Sequence, residues 1–142
     1  MKAKLVLICV VGVLSPFLFA CAPAPKQVSA EVSCDDFYQQ NHISKEVEVA
    51  VGGTVSVTLC SNPSTGFIWS ETAQVSDQNV LQQTDHRVVP SEGEGLVGAP
   101  GQEVWTFTAL KKGASTVSIE YSRPWEGGEK GAWTFTLTVT VK

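Results

Sequence analysis

From Glu46 onward, apolar residues recur at every second position rather than every third or fourth. Val47, Val49 and Val51 alternate with Glu46, Glu48 and Ala50, and after Gly52-Gly53 the residues Val55, Val57 and Leu59 alternate with Thr54, Ser56 and Thr58. A glycine pair between two alternating runs is a hairpin signal. Trp105, Phe107 and Ala109 alternate with Thr106 and Thr108, Lys111-Lys112-Gly113 turns the chain, and Val117, Ile119 and Tyr121 alternate with Ser118 and Glu120. The last run is the most regular, with Trp133, Phe135, Leu137, Val139 and Val141 on one face and Thr134, Thr136, Thr138 and Thr140 on the other. Side chains point to opposite faces along a strand, so each run predicts a strand that buries one face and wets the other. No sufficiently long stretch has a helical period. Six or seven such strands in about 100 residues predict an all-β, immunoglobulin-like antiparallel β-sandwich.

The chain ahead of these strands reads differently. Residues 1–20 run from a basic start (Lys2, Lys4) through a long apolar stretch to a small residue, the layout of a secretory signal peptide. The junction Leu18-Phe19-Ala20-Cys21 resembles a bacterial lipobox, which makes Cys21 the expected lipidation site and the membrane relevant only through that anchor. Residues 21–33, rich in Pro, Ala and Ser, are expected to be the lipid-attachment cysteine and a tether. Residues 34–142 remain for the domain, about 110 residues and enough for one core. The expected destination is outside the cytoplasm, secreted or lipid-anchored at the cell envelope. With Cys9 in the signal and Cys21 at the anchor, Cys34 and Cys60 are left, and in an oxidising compartment they are expected to pair. Closing that 26-residue span is worth roughly 3.5 kcal/mol in the chain-entropy model. Beyond Cys21 the chain holds all 14 acidic residues but, without Lys2 and Lys4, only 8 of the 10 basic ones, a net charge of −6. With no basic cluster, nucleic acid is not an expected partner.

Three connections are richer in Gly, Pro and aromatic residues than a minimal turn requires. They are Asn62 to Trp69 (NPSTGFIW), Arg87 to Gln102 (RVVPSEGEGLVGAPGQ) and Ser122 to Ala132 (SRPWEGGEKGA). The second is long for a connection without structure of its own, a mark of function. Falling after every second expected strand, all three are predicted to emerge at one end of the sandwich, as antibody loops do.

The order Asn62-Pro63-Ser64-Thr65-Gly66, then Gly98-Ala99-Pro100-Gly101, then Arg123-Pro124-Trp125 resembles the chagasin-type inhibitors of papain-like cysteine proteases, whose pattern is NPTTG, GxGG and RPW on three loops. The resemblance runs from about Val47 to Lys142. Three motifs in order on matching loops are specific where each alone is weak. Ser64 replaces Thr, Phe67 stands where Tyr is common, and Pro100 stands where the pattern has Gly; proline fixes φ and removes an N–H, which alters what the middle loop's backbone offers a protease.

The resemblance implies a reversible inhibitor, acting as a monomer, whose loops enter the active-site cleft. Asn62, Pro63, Ser64, Thr65, Gly66 and Phe67 form a preformed wedge, stiffened by Pro63 and turned at Gly66, with Thr65 nearest the protease thiolate and Asn62 supporting the loop. Leu96, Gly98, Ala99, Pro100 and Gly101 lie along one wall of the cleft. Trp125, stiffened by Pro124 and out of step with the strand alternation that holds Trp105 and Trp133, is the anchor on the cleft rim. Arg123 offers either a charge-assisted hydrogen bond to the protease or a salt bridge to Glu126 or Glu129. Trp69, next along the strand, is expected to hold the first loop to the core.

As an enzyme the sequence is poor. His42, placed before the regular strands, and His86, beside Asp85 in a strand, are the only candidate bases, and nothing marks a nucleophile. Two separated histidines do not make a zinc site, and no cofactor is expected. The rival from another class is a cell-surface immunoglobulin-like module binding carbohydrate or protein, with loop tryptophans stacking on sugar. Sugar binding requires Trp125 and is indifferent to Thr65 and Gly66, whereas inhibition depends on both loops.

Overall fold

The computed structural model describes residues 22–91 and 98–142, so the expected signal peptide, the lipid site at Cys21 and the loop residue Leu96 lie outside the described residues. Among the described residues, nine strands and one short α-helix follow in the order β1 (Gln27–Val32), α1 (Cys34–Gln39), β2 (His42–Val49), β3 (Thr54–Ser61), β4 (Ile68–Trp69), β5 (Gln74–Val75), β6 (Leu81–Val89), β7 (Gly101–Ala109), β8 (Gly113–Ser122) and β9 (Trp133–Val141). They form two sheets, β1-β3-β7-β6 and β2-β9-β8-β4, with β5 also on β8. The inner faces carry the alternating residues read from the sequence: Val55, Val57, Leu59, Trp105 and Phe107 meet Val117, Ile119, Tyr121, Phe135, Leu137 and Val139, all buried. Their outward neighbours are the threonines and serines, so burial follows the two-residue period.

The sandwich is not purely antiparallel. β1 pairs parallel with β3, and β2 parallel with β9, because the chain crosses to the opposite sheet between the members of each pair. Gly52-Gly53 accordingly does not close a hairpin. The runs it separates, β2 and β3, belong to different sheets, and the turn carries the chain from one to the other with Val51 exposed rather than in the core.

The expected tether is shorter than its composition implied. Gln27 to Val32 form β1, in register from Gln27↔Thr54 to Val32↔Leu59, with Ala30 and Val32 buried. Pro25 and Lys26 already accept backbone hydrogen bonds from Ala50 and Thr54 at 2.8 Å each. The domain therefore begins before Cys34. Between β1 and β2, Ser33 caps α1 by accepting the Asp36 N–H at 3.1 Å. The helix places Phe37 in an aromatic cluster 5.6 Å from Trp69, 5.2 Å from Tyr121 and 5.4 Å from Trp133. The Cys34–Cys60 disulfide, expected from the cysteine arithmetic, ties this helix to the end of β3.

Candidate functional site

Register places the three long connections at one end of the sandwich. Ser61 at the end of β3 lies opposite Gly101 at the start of β7, and Val89 at the end of β6 lies opposite Gln102. In the other sheet Ile68 of β4 lies opposite Ser122, and Tyr121 opposite Trp133. Each loop thus leaves and re-enters at the same rim, as expected.

The first loop is a wound turn rather than an extended segment. Pro63–Thr65 form a single 3-10 turn, with Gly66 closing it at φ 80°. The Asn62 carbonyl accepts from the Thr65 amide at 3.2 Å, from Thr65 Oγ1 at 2.8 Å and from Tyr121 Oη at 3.2 Å, while Tyr121 Oη in turn accepts the Asn62 amide at 3.0 Å. The Pro63 carbonyl accepts the Gly66 amide at 3.0 Å, and Ser64 Oγ donates to Asn62 Oδ1 at 2.6 Å. Pro63, Ser64 and Thr65 are exposed on a turn whose first two carbonyls already have partners. Asn62 does support the loop, chiefly through its backbone.

Phe67, counted above among the contact residues, is not at the surface. Its ring is buried, stacked on Tyr121 at 5.5 Å and edge-on to Trp133 at 5.3 Å, because the chain enters β4 there and the position faces the core. Trp69 is buried as expected, with Nε1 donating to the Cys60 carbonyl at 2.9 Å. These two rings hold the turn from beneath.

The loops touch. A methyl group on Gly66 would fall 2.8 Å from Cη2 of Trp125, so the indole of the third loop lies directly on the first loop's closing glycine. A methyl on Gly98 would lie 3.7 Å from Ser64 Oγ, which brings the middle loop against the same turn. Gly101 needs its missing side chain for a different reason, since a Cβ there would sit 2.6 Å from the Val89 carbonyl across the β6–β7 ladder. Ala99 is half-buried and Pro100 exposed.

The third loop folds on itself. Arg123 N donates to the Glu129 carbonyl at 2.8 Å, Gly128 N to the Trp125 carbonyl at 3.1 Å, and Gly131 N to Ser122 Oγ at 2.7 Å. Lys130 Nζ donates to the carbonyls of Arg123 at 2.5 Å and Trp125 at 3.1 Å. Pro124 and Trp125 project from this closed loop, the indole 52% exposed. Arg123 makes a salt bridge with neither Glu126 nor Glu129. Its guanidinium lies 4.5 Å from the Phe67 ring centre and 5.8 Å from that of Trp125, a planar cation joining the first and third loops.

The histidines do not converge. His42 belongs to regular strand β2, not to a segment ahead of it, and bonds Thr134 Oγ1 at 2.7 Å through Nδ1. His86, in the opposite sheet, meets not Asp85 but Glu103, whose Oε2 lies 2.9 Å from its Nε2 and whose Oε1 accepts from Ser61 Oγ at 2.7 Å. The carboxylate stands between the serine and the imidazole, so the hydroxyl bonds the carboxylate and not the imidazole, and the order is not that of a Ser-His-Asp relay. The sequence reading missed this trio. Its signal was Glu103 on the core-facing parity of β7, two residues before Trp105 and four before Phe107.

Residues 48–139 match the family model described as chagasin family peptidase inhibitor I42. The chain is similar to chagasin of Trypanosoma cruzi, 32% identical over 98 residues that cover 68% of this chain and 88% of chagasin. In three dimensions it is similar to the cysteine protease inhibitor EhICP2 from Entamoeba histolytica, with a TM-score of 0.64, 21% identity and coverage of 84% of this chain and 100% of the other. It is also similar to PbICP-C, solved in complex with falcipain-2, with a TM-score of 0.61, 19% identity and coverage of 80% and 98%. The two structural likenesses speak for the shared fold.

Proposed function

Because the chain belongs to the chagasin family of peptidase inhibitors, we propose that the three-loop end is its inhibitory surface, blocking papain-like cysteine proteases reversibly and without being turned over. The chain is an inhibitor and not an enzyme. One observation carries the reading of the surface: within one turn Gly66 meets Trp125 and Ser64 meets Gly98, so three separate loops make one contiguous ridge.

The chemistry of the cleft explains why such a ridge inhibits. A papain-like protease attacks a carbonyl with a thiolate, and the substrate must present that carbonyl from an extended backbone. The first loop, wound into a 3-10 turn over Pro63–Thr65, does not offer that extended backbone. Its Asn62 and Pro63 carbonyls are turned inward and bonded to Thr65, Tyr121 and Gly66, inside a wound turn that would have to unravel before attack. Thr65, exposed at the apex, is the residue placed nearest the protease cysteine. Pro63, Ser64 and Gly66 shape the wedge, and Asn62 and Phe67 hold it from below. Gly98, Ala99, Pro100 and Gly101, with Leu96, line one wall of the cleft. Trp125 anchors on the rim, carried by Pro124 and Arg123. Because the turn is already ordered by its own bonds, little conformational entropy remains to be lost on docking.

The protein is further read as acting as a monomer outside the cytoplasm, exported by the segment 1–20 and held by lipid on Cys21. The Cys34–Cys60 disulfide, which persists in oxidising compartments, supports that placement. The carbohydrate-binding alternative is not favoured, given the family.

Titration of active papain with the whole chain, following residual hydrolysis of a small peptide substrate, tests the proposal. Stoichiometric, reversible inhibition weakened by either Gly66→Glu or Trp125→Ala is expected. Absence of inhibition by the folded, disulfide-closed chain would sink it.

A further inference from the structure

Directly beneath the first two loops, Glu103 is only 5% exposed, and both of its carboxylate oxygens are engaged. The inhibitory contacts described above make no use of it. A carboxylate at the edge of a sandwich core is costly to desolvate, and an apolar residue of like volume would serve folding at least as well. What it holds is therefore informative. Ser61, which donates to Oε1 at 2.7 Å, is the last residue of β3 and directly precedes Asn62 of the first loop. His86, 2.9 Å from Oε2, lies on β6, the strand that leads into the middle loop. Glu103 itself lies two residues after Gly101, where the middle loop ends. One side chain thus bridges the three strands from which these two loops depart. The bridge continues, since the His86 ring packs 4.8 Å from the Trp105 ring, and Trp105 Nε1 donates to the carbonyls of Ser70 and Glu71, just beyond the first loop's return strand.

We propose that Glu103 is a positioning residue for inhibition: the Ser61–Glu103–His86 bridge sets the spacing between the first and middle loops so that both enter one cleft. The inference rests on the inhibitory role proposed above and adds a residue that touches no protease.

The test uses Glu103→Leu and Glu103→Gln in the whole chain, with two readouts. The first is amide hydrogen exchange at Thr65 and Gly66, which bond within the first loop, against Gly128, which bonds within the third. The second is inhibition of papain. Glu103→Leu leaves Ser61 and His86 unbridged and is expected to speed exchange at Thr65 and Gly66 by about tenfold with Gly128 unchanged, and to weaken inhibition by about tenfold. Glu103→Gln, with one oxygen for Ser61 and one amide for His86, is expected to restore both. A folded Glu103→Leu chain with unchanged loop exchange and inhibition overturns the proposal, as does faster exchange spread equally to Gly128. If Glu103→Leu does not fold, Ser61→Ala, which removes one arm of the bridge, is read by the same criteria. Failure of the unsubstituted chain to inhibit papain would overturn the inhibitory role, while loop-selective exchange would still decide whether Glu103 positions the loops.

Discussion

Replacing Gly66 by alanine perturbs the ridge at its centre. At φ 80° the position lies in the left-handed region, which costs a residue with a Cβ roughly 1–2 kcal/mol. The added methyl would also fall 2.8 Å from Trp125 Cη2. Carbon–carbon contacts settle at about 3.5–4.0 Å, so the indole and the turn must separate by roughly 1 Å. The backbone term alone lowers the melting temperature by roughly 4–10 °C for a domain of this size. The separation acts on binding instead, because it displaces the wedge relative to its anchor. It is expected to weaken inhibition of papain by about 10- to 100-fold, or about 1.4–2.7 kcal/mol, chiefly through faster dissociation. A double-mutant cycle isolates the contact. With Trp125→Ala in place the methyl meets no indole, so the inhibition penalty of Gly66→Ala should shrink by about 1 kcal/mol. A Gly66→Ala chain that inhibits like the original, or penalties that simply add, would refute the reasoning.

Arg123→Gln removes the cation between Phe67 and Trp125 and should weaken inhibition several-fold, about 1 kcal/mol, with little change in melting temperature. Tyr121→Phe deletes both bonds to the Asn62 backbone; equilibrium denaturation should report a loss of about 1 kcal/mol, and inhibition should weaken with it. Reduction of Cys34–Cys60 should lower stability by roughly 3.5 kcal/mol, measured by denaturant titration with and without reductant. Deleting residues 22–32 should cost cooperative thermal unfolding or cause aggregation on size-exclusion chromatography, because it bares the edge of β3 and uncovers the core that Ala30 and Val32 close.

The strands that carry the site were legible because burial on one face leaves a two-residue period, and the last run, Trp133 to Val141, shows it without interruption. β1 was legible too, in Val28, Ala30 and Val32 alternating with Gln27, Ser29 and Glu31, but small residues and the prolines just before it gave the segment the composition of a tether. Pairing direction was not legible. Nothing local in Gly52-Gly53 distinguishes a hairpin from a turn that crosses between sheets, since that depends on which partners β2 and β3 find elsewhere. Strand order placed the three loops at one end, as the register bears out, yet Phe67 and Arg123 show where motif reading stops. Whether a loop residue faces the partner or the core depends on the parity of the strand it enters, and Phe67 enters β4 facing inward. Arg123 then finds an aromatic partner in place of a carboxylate. The Ser61–Glu103–His86 trio spans 42 positions of sequence and is assembled only by register across three strands.

The most direct test of a ridge that fills the cleft without being cut is protection of the papain thiol. Papain is incubated with one equivalent of the chain and challenged with iodoacetamide, and both proteins are then weighed by mass spectrometry. A wedge standing over the thiolate predicts an unalkylated papain that recovers activity on dilution, and an inhibitor chain recovered intact. Alkylation at the rate of free papain, or cleavage of the chain between Asn62 and Trp69, would contradict it.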